Sequence, residues 1–521
     1  MSNPQKSDQE QFFLFMAALV LILIAVGRYQ SVAVQALIQY RFHISIVIST
    51  VIIFGGQRLF EVLKKKREQS QFDREILGPS KTEDSLLVGY DTKAKPVYVK
   101  PSQRRMHTQV IGTTNAGKTE SVILPWAIDD IKKGRGLILV DGKSDRSLLD
   151  KLYSYVKLNK REQDFKILSL CDVQVSSCFN PFLNGSVVEI AERVFSALNF
   201  ENEYYKSIQY DALLHCLLVM EDQKITPTPQ RVIDLLRNRL VLSELGRKLS
   251  SRQLAIWVDN FTHLKKEEIE QRTSGLIAQL QSFCLGDMGL LFNNEKPDID
   301  IEHALEKNQI IYCQLPALKV PHLGKAVGKM ILQALQSAVS SRHLGQLKNN
   351  TLFSVYLDDF TEYLTPSFVT LLNKSRSANV AITFAHQALG DLEALGDGVK
   401  NTILTNSNLK VFMRTNEPES AEYFSSVIGT IQTDKKTERQ TKDFWGTQKT
   451  GEASVREAEE FKFHPNIFKQ GLGVGEAVMV VPHAKGSQTV QLKFRKTLDL
   501  EKCELPKIEK QKATSLLEAA A

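Results

Sequence analysis

The chain carries Gly112, Thr113, Thr114, Asn115, Ala116, Gly117, Lys118 and Thr119 in a row, a complete G-x-x-x-x-G-K-[ST] string. An apolar strand candidate, Thr108–Ile111, precedes it and a helical pattern over 118–131 follows it. No other segment constrains the fold as strongly. Where a strand ends beneath the N-terminus of a helix, successive backbone N–H groups of the loop between them can wrap a phosphate. In such a loop the Lys118 ammonium supplies charge to the β- and γ-phosphates, and the Thr119 hydroxyl ligates Mg²⁺.

From residue 106 onward, short apolar strands alternate with longer helical stretches, which predicts an α/β fold around a mainly parallel sheet. Strands are expected at 108–111, 136–141, 309–313, 353–358, 380–384, 409–413 and 477–481. Between 185 and 298 the strand pattern stops. Helices are expected there at 187–198, 209–221, 230–240, 244–249 and 267–284, which reads as an all-α domain inserted into an α/β domain spanning 106–184 and 299–500. Residues 68–105 read as a connector, 429–455 as an exposed loop and 501–521 as a C-terminal tail.

Nucleotide hydrolysis needs carboxylates at the end of a neighbouring strand. The run 353–357 ends in Asp358-Asp359, so Asp358 is positioned to hold Mg²⁺ and Asp359 to orient the attacking water. Gln387, just past the strand 380–384, is placed to sense the γ-phosphate or that water. Arg376, in the link before that strand, is a candidate arginine finger for a neighbouring subunit, and Arg414 is a second candidate. The glycine-rich segment 471–475 precedes a strand instead of opening a helix, and reads as a turn. No HExxH string or G-x-S-x-G elbow is present.

The N-terminus reads differently. Residues 12–26 are fifteen consecutive apolar residues, and 43–56 are apolar apart from His43, Ser45, Ser49 and Thr50. With their flanks these runs predict a two-helix transmembrane hairpin over 1–67. Lys64, Lys65, Lys66 and Arg67 fix its end in the cytoplasm, which leaves 27–41 on the far side. The formal charge follows the same division: of +7 overall, residues 1–70 hold +4, leaving +3 for the other 451 residues. The six cysteines show no CxxC pair and no zinc-like spacing, as expected of free thiols in a reducing compartment.

Taken in order, these features resemble the TraG/TraD-type coupling ATPases of type IV secretion and conjugation. The resemblance rests on 112–119, on 136–141 followed by Gly142-Lys143, and on Phe179-Asn180-Pro181-Phe182. It continues through Tyr356-Leu357-Asp358-Asp359-Phe360, Ser375-Arg376-Ser377 and Ala385-His386-Gln387. It implies a RecA/FtsK-like P-loop NTPase, anchored in the bacterial inner membrane as a ring, usually a homo-hexamer. It implies ATP and Mg²⁺ as ligands, with Lys118 and Thr119 holding them, Asp358 as the Walker B aspartate and Gln387 as the motif glutamine. The implied partners are single-stranded DNA with its relaxase, recruited by the helical insertion, and the components of a type IV secretion channel. Two other readings stand beside this one: the same motor exporting protein effectors, or a membrane receptor that binds ATP and presents substrate without moving it. Many relatives have Glu where this chain has Asp359, and the long acidic tail of some has no counterpart here. The stretch Lys435, Lys436, Arg439, Lys442, Phe444, Trp445 and Lys449 is a candidate DNA contact, because aromatic rings stack on bases.

Overall fold

The computed structural model describes Ala18 and residues 84–510, except 201, 317, 366, 444, 445 and 485. Apart from Ala18, both apolar runs expected to cross a membrane lie outside the described residues, as do Lys64 to Arg67. Among the described residues no helix is long and apolar enough to span a bilayer.

Thirteen strands follow one another along the chain: β1 (Leu86–Asp91), β2 (Pro96–Val99), β3 (Thr108–Ile111), β4 (Leu137–Asp141), β5 (Phe165–Ser169), β6 (Ile310–Gln314), β7 (Phe353–Asp358), β8 (Val380–His386), β9 (Leu409–Phe412), β10 (Thr430–Asp443), β11 (Gly446–Phe461), β12 (Glu476–His483) and β13 (Gly486–Phe494). Eleven form one sheet in the order β2-β1-β13-β12-β9-β3-β8-β7-β4-β6-β5. From β9 to β5 every pairing is parallel, while β12, β13, β1 and β2 extend the sheet antiparallel. The parallel strands are covered on both faces, so they carry near-continuous apolar runs: every residue of β4 and β6 is buried. Because they are parallel, β3, β4, β7 and β8 all end at one edge, and β8 separates β3 from β7. That edge receives the glycine-rich loop and the acidic strand ends.

All seven expected strands are present, with ends shifted by a residue or two. β5 was not anticipated. It forms one border of the sheet, and its Phe-Lys-Ile-Leu-Ser sequence lacks the unbroken apolar run that marks an interior strand. The expectation of an exposed loop over 429–455 is corrected: β10 and β11 pair antiparallel as a separate two-stranded sheet, from Thr430↔Phe461 to Asp443↔Gly446, with one register shift between Glu438 and Gln440. Its sequence is dense in Lys, Thr, Gln and Glu, so no alternation of apolar residues announces it.

Between β5 and β6 the chain forms the helices Val187–Ala197, Glu203–Asp222, Pro229–Arg237, Arg239–Gly246, Arg252–His263, Lys266–Gln281, Asp287–Phe292 and Ile301–Lys307. The expected helix over 230–240 stops at Arg237, because Asn238 leaves helical geometry and caps the next helix through Val241 N–H, 3.2 Å from its Oδ1. The way in and the way out are tied together. Phe179 and Ile299 form a parallel bridge, and the Asn180 amide donates to the carbonyls of Pro227 (2.9 Å) and Asn294 (3.2 Å). Val194, Leu213 and Leu276 of these helices share one apolar cluster with Ile311 and Val355 of the sheet.

A buried ion pair fastens the entry segment to the sheet. Arg104, in the short helix Pro101–Arg104, donates from both terminal nitrogens to Asp130, each at 2.7 Å, and also reaches Tyr356 Oη (2.7 Å) and Ser354 Oγ (2.9 Å). Tyr356 Oη donates to Asp130 at 2.5 Å, and Arg135 adds a bond at 3.1 Å. Burial by itself would raise the Asp130 pKa, but the Arg104 guanidinium overrides it and holds the carboxyl well below the usual carboxylate range. Asp130→Ala leaves that guanidinium buried without its main counter-charge and should cost about 3–5 kcal/mol. In urea unfolding, the double variant Arg104→Met/Asp130→Leu should be clearly more stable than Asp130→Ala alone.

Candidate nucleotide site

The loop 112–119 is held from three sides. Gly112 N–H donates to His386 O on β8 (3.3 Å), Thr113 N–H to Arg414 O after β9 (2.8 Å), and Ala116 O accepts from Gly475 N–H (3.0 Å). Gly117 sits at φ +97°, a conformation side chains disfavour, and a Cβ there would lie 3.0 Å from Ser121 Oγ and 3.2 Å from Gly475 N. The segment 471–475 is thus more than the turn expected of it. Gly475, at φ +75°, packs directly against the loop. The helix after the loop opens with a π-turn, Thr119–Ile123, before Leu124–Lys132.

Three side chains predicted from the sequence meet here. Lys118 is buried and donates to Gly112 O (2.6 Å) and Thr113 O (3.3 Å), so the loop's own carbonyls hold its ammonium. Burial, then the charge of Lys143, lowers its pKa. Thr119 Oγ1 donates to Asp358 Oδ2 at 2.6 Å, joining loop to strand end. Asp358 is buried, which raises its pKa, and its Oδ1 makes no hydrogen bond. A buried carboxylate oxygen left bare beside a threonine hydroxyl suits a hard cation, so Thr119 and Asp358 fit Mg²⁺. Asp359 follows in the left-handed region at φ +49°, its carboxylate 3.0 Å from Lys143 Nζ. Gln387 reaches the loop as well: its Oε1 accepts from Thr114 Oγ1 at 3.1 Å, and its backbone N–H donates to Asp391 (2.8 Å).

The two arginine candidates separate. Arg376 is exposed and precedes β8, so it lies at the sheet edge opposite the loop, one strand length or roughly 20 Å away. Arg414 follows β9 at the loop edge, where its carbonyl pins Thr113. Within one subunit Arg376 cannot touch the nucleotide its own loop would hold.

Asp141, Gly142 and Lys143, which carry part of the family resemblance, stand at the loop edge of the sheet. β4 registers Asp141 opposite Asp358, and burial, with the Asp358 charge adding, pushes the Asp141 carboxyl up to about 6 against the hydrogen bond from Tyr312. Asp141 accepts from Tyr312 Oη (2.6 Å) and from the N–H groups of Lys143 (2.9 Å), Ser144 (2.9 Å) and Asp145 (2.7 Å). A Cβ on Gly142 would lie 2.6 Å from Tyr363 Oη. The available signal was an acidic residue ending a fully buried strand, the same pattern as Asp358. Behind Gln387, His386 donates from Nδ1 to Ala388 O (2.7 Å), while its Nε2 faces Gln109 Nε2 (3.0 Å). Burial pushes His386 down to about 4, which keeps the ring neutral.

A family model described as the TraM recognition site of TraD and TraG matches residues 353–461, from β7 through β11. The type 4 coupling protein DotL of Legionella pneumophila is 23% identical over 400 residues, 65% of this chain and 51% of that protein. This chain is a relative of the type IV coupling proteins. It spans about half the length of that curated relative, 51%. Among solved structures, this coupling-protein relative resembles the bacterial conjugative coupling protein TrwBΔN70 with a TM-score of 0.58 at 14% identity, covering 81% of this chain and 91% of that one. TrwB in complex with ADP and Mg²⁺ aligns with a TM-score of 0.57 at 15% identity, covering 84% and 93%. The likeness is one of fold: an α/β P-loop NTPase-like body.

Gly475→Ala tests whether the 471–475 turn shapes the loop. Forcing a side chain into the left-handed region costs about 1–2 kcal/mol, so affinity for a fluorescent ATP analogue should fall roughly five- to thirtyfold. Gly473→Ala, at a position without positive φ, should change it little.

Proposed function

We propose that the chain is a membrane-anchored ATPase that couples ATP hydrolysis to delivery of a substrate into a type IV secretion channel. The observation that carries this reading is the contact between Thr119 and Asp358, with its unsatisfied Oδ1, beneath a complete phosphate-binding loop. Thr119 and Asp358 would hold Mg²⁺, which when bound neutralises charge on the β- and γ-phosphates. Lys118 leaves its loop carbonyls for the phosphates, and Gln387 and Asp359 align a water with the γ-phosphorus. As the water oxygen bonds to phosphorus, the bond to the bridging oxygen breaks. The water's proton passes to Asp359, and ADP and phosphate result.

In this reading residues 1–67 form the inner-membrane hairpin, the chain assembles as a homo-hexameric ring, and Arg376 completes the site of the adjacent subunit. The cargo is single-stranded DNA with its relaxase, and the 353–461 segment, related to a TraM recognition site, docks an adaptor of the channel or relaxosome. One observation favours a second reading, with protein as cargo: residues 71–521 hold only +3, little for a surface that must grip phosphates.

The full-length chain in lipid nanodiscs should hydrolyse ATP only with Mg²⁺, and Lys118→Ala and Asp358→Asn should each lower turnover at least 100-fold. Stimulation by single-stranded DNA supports DNA cargo, and turnover indifferent to DNA supports protein cargo. ATP binding without turnover in the wild-type chain leaves the receptor reading. Mixing Lys118→Ala with Arg376→Ala subunits should restore part of the turnover that each lacks alone, because each supplies the half-site missing from the other. No recovery on mixing would remove Arg376 from the site.

A further inference from the structure

Lys143 stands among the charged groups at the strand ends. It follows β4, whose neighbour β7 ends at Asp358 with Asp359 next in the chain, and its ammonium lies 3.0 Å from Asp359 Oδ2. Its position is built. Its own N–H and that of Ser144 bond to the buried Asp141 carboxylate, and Gly142 passes so close to Tyr363 that a side chain would clash. Asp359 is equally constrained, at φ +49°, a conformation that costs a non-glycine residue free energy. Strain of that kind persists where the surroundings fix it, and Lys143 is the charged group holding the side chain.

We infer that Lys143 is a positioning residue that holds Asp359 away from the attacking water until the site is completed, and so restrains idle ATP hydrolysis. This rests on the reading of Asp359 as the water-activating carboxylate. With its Oδ2 3.0 Å from the ammonium, the Asp359 side chain is turned towards Lys143, and one of its acceptor sites is taken up by that contact instead of a water. The chemistry also supplies a release. Lys143 is half-exposed and lies near Asp358 and Lys118 as well as Asp359, so a triphosphate entering between Lys118 and the strand ends presents a stronger anion within its reach. An Asp in place of Glu at 359 suits this arrangement: the shorter arm reaches less far towards a water, and a single ammonium can hold it back.

The test compares Lys143→Met, Lys143→Gln and Lys143→Arg in the full-length chain in nanodiscs, with turnover followed in the absence of DNA or other cargo. Expected for Met and Gln is a three- to tenfold rise in kcat with KM for ATP within twofold of wild type, and for Arg a rate near wild type. The rise should vanish in an Asp359→Asn background, because Lys143 acts through that carboxylate. A fall in kcat, or a KM raised tenfold, would make Lys143 a nucleotide ligand and overturn the inference, as would an unchanged kcat. Wild-type turnover separates the two levels. If it is present while the variants behave as wild type, the restraint alone fails; if it is absent while an ATP analogue still binds, the hydrolytic reading fails and the restraint with it.

Discussion

Asp358 is a carboxylate at the end of a strand buried along its whole length, with one oxygen satisfied by Thr119 and the other by nothing. Burying such a group is costly unless something compensates it, and the compensation organises the edge of the sheet around it. Lys118 folds down from the loop and Lys143 approaches from the end of β4. Asp141, registered beside Asp358 on the adjacent strand, has its own charge spread over three backbone N–H groups and a tyrosine. Two lysines among three carboxylates leave the strand ends with an excess of negative charge, the sign that a cation offsets. In the proposed function a cation at Asp358 and a polyphosphate at Lys118 would enter as complementary charges.

Strand order turns this local demand into architecture. With β8 between β3 and β7, the loop after β3 and the acids after β7 sit one strand apart, and the residues after β8 fall between them. Gln387 therefore touches the loop through Thr114 although 273 positions separate the two residues. His386 holds this junction as a neutral ring. Behind it Gln109 on β3 bridges to Lys410 on β9, 3.0 Å away, a lysine that burial pushes down to about 7. Three adjacent strands are thus joined by polar side chains inside an otherwise apolar sheet, so a shift at the end of β8 cannot leave β3 and β9 unmoved.

Which parts of this were legible in the sequence follows from what each part is made of. The interior strands and the phosphate loop were legible because a fully buried strand must be apolar throughout, and a loop that wraps phosphate must place glycine and lysine at fixed spacing. β5 was not, since a strand at the border of a sheet tolerates lysine and serine. The β10–β11 hairpin was not, since its two strands are polar almost throughout and lack the alternation that marks a half-buried strand. Asp358 and Asp359 could be read from an acidic pair after an apolar run. The Lys143 contact with Asp359 could not, because it joins positions 216 apart that only the β4–β7 pairing brings together. Gly475 failed for the opposite reason: as sequence it is one glycine of a turn, and only the packing of that turn against Ala116 and Gly117 ties it to the site.

The helical insertion and the hairpin relate to the body in different ways, and the difference bears on how work at the site could be transmitted. The insertion's apolar side chains belong to the same cluster as those of the sheet, and its two ends are locked by the Phe179–Ile299 bridge and the bonds of Asn180. Close-packed interiors shift as units, so these helices must follow any displacement of the strands they cover. The hairpin contributes nothing from its pairing to the eleven-stranded sheet and forms a sheet of its own, rooted where the helix Pro418–Ile428 ends at Gly429. That root is close in sequence to Arg414, whose carbonyl holds Thr113 of the phosphate loop. The insertion joins the body through packing across the sheet, and the hairpin through residues 413–429, whose helix Pro418–Ile428 packs Ala421 and Phe424 against Phe412 of β9 and Val478 of β12. Both elements are thus tied to the sheet by apolar contacts, the first along many helices and the second at its root alone.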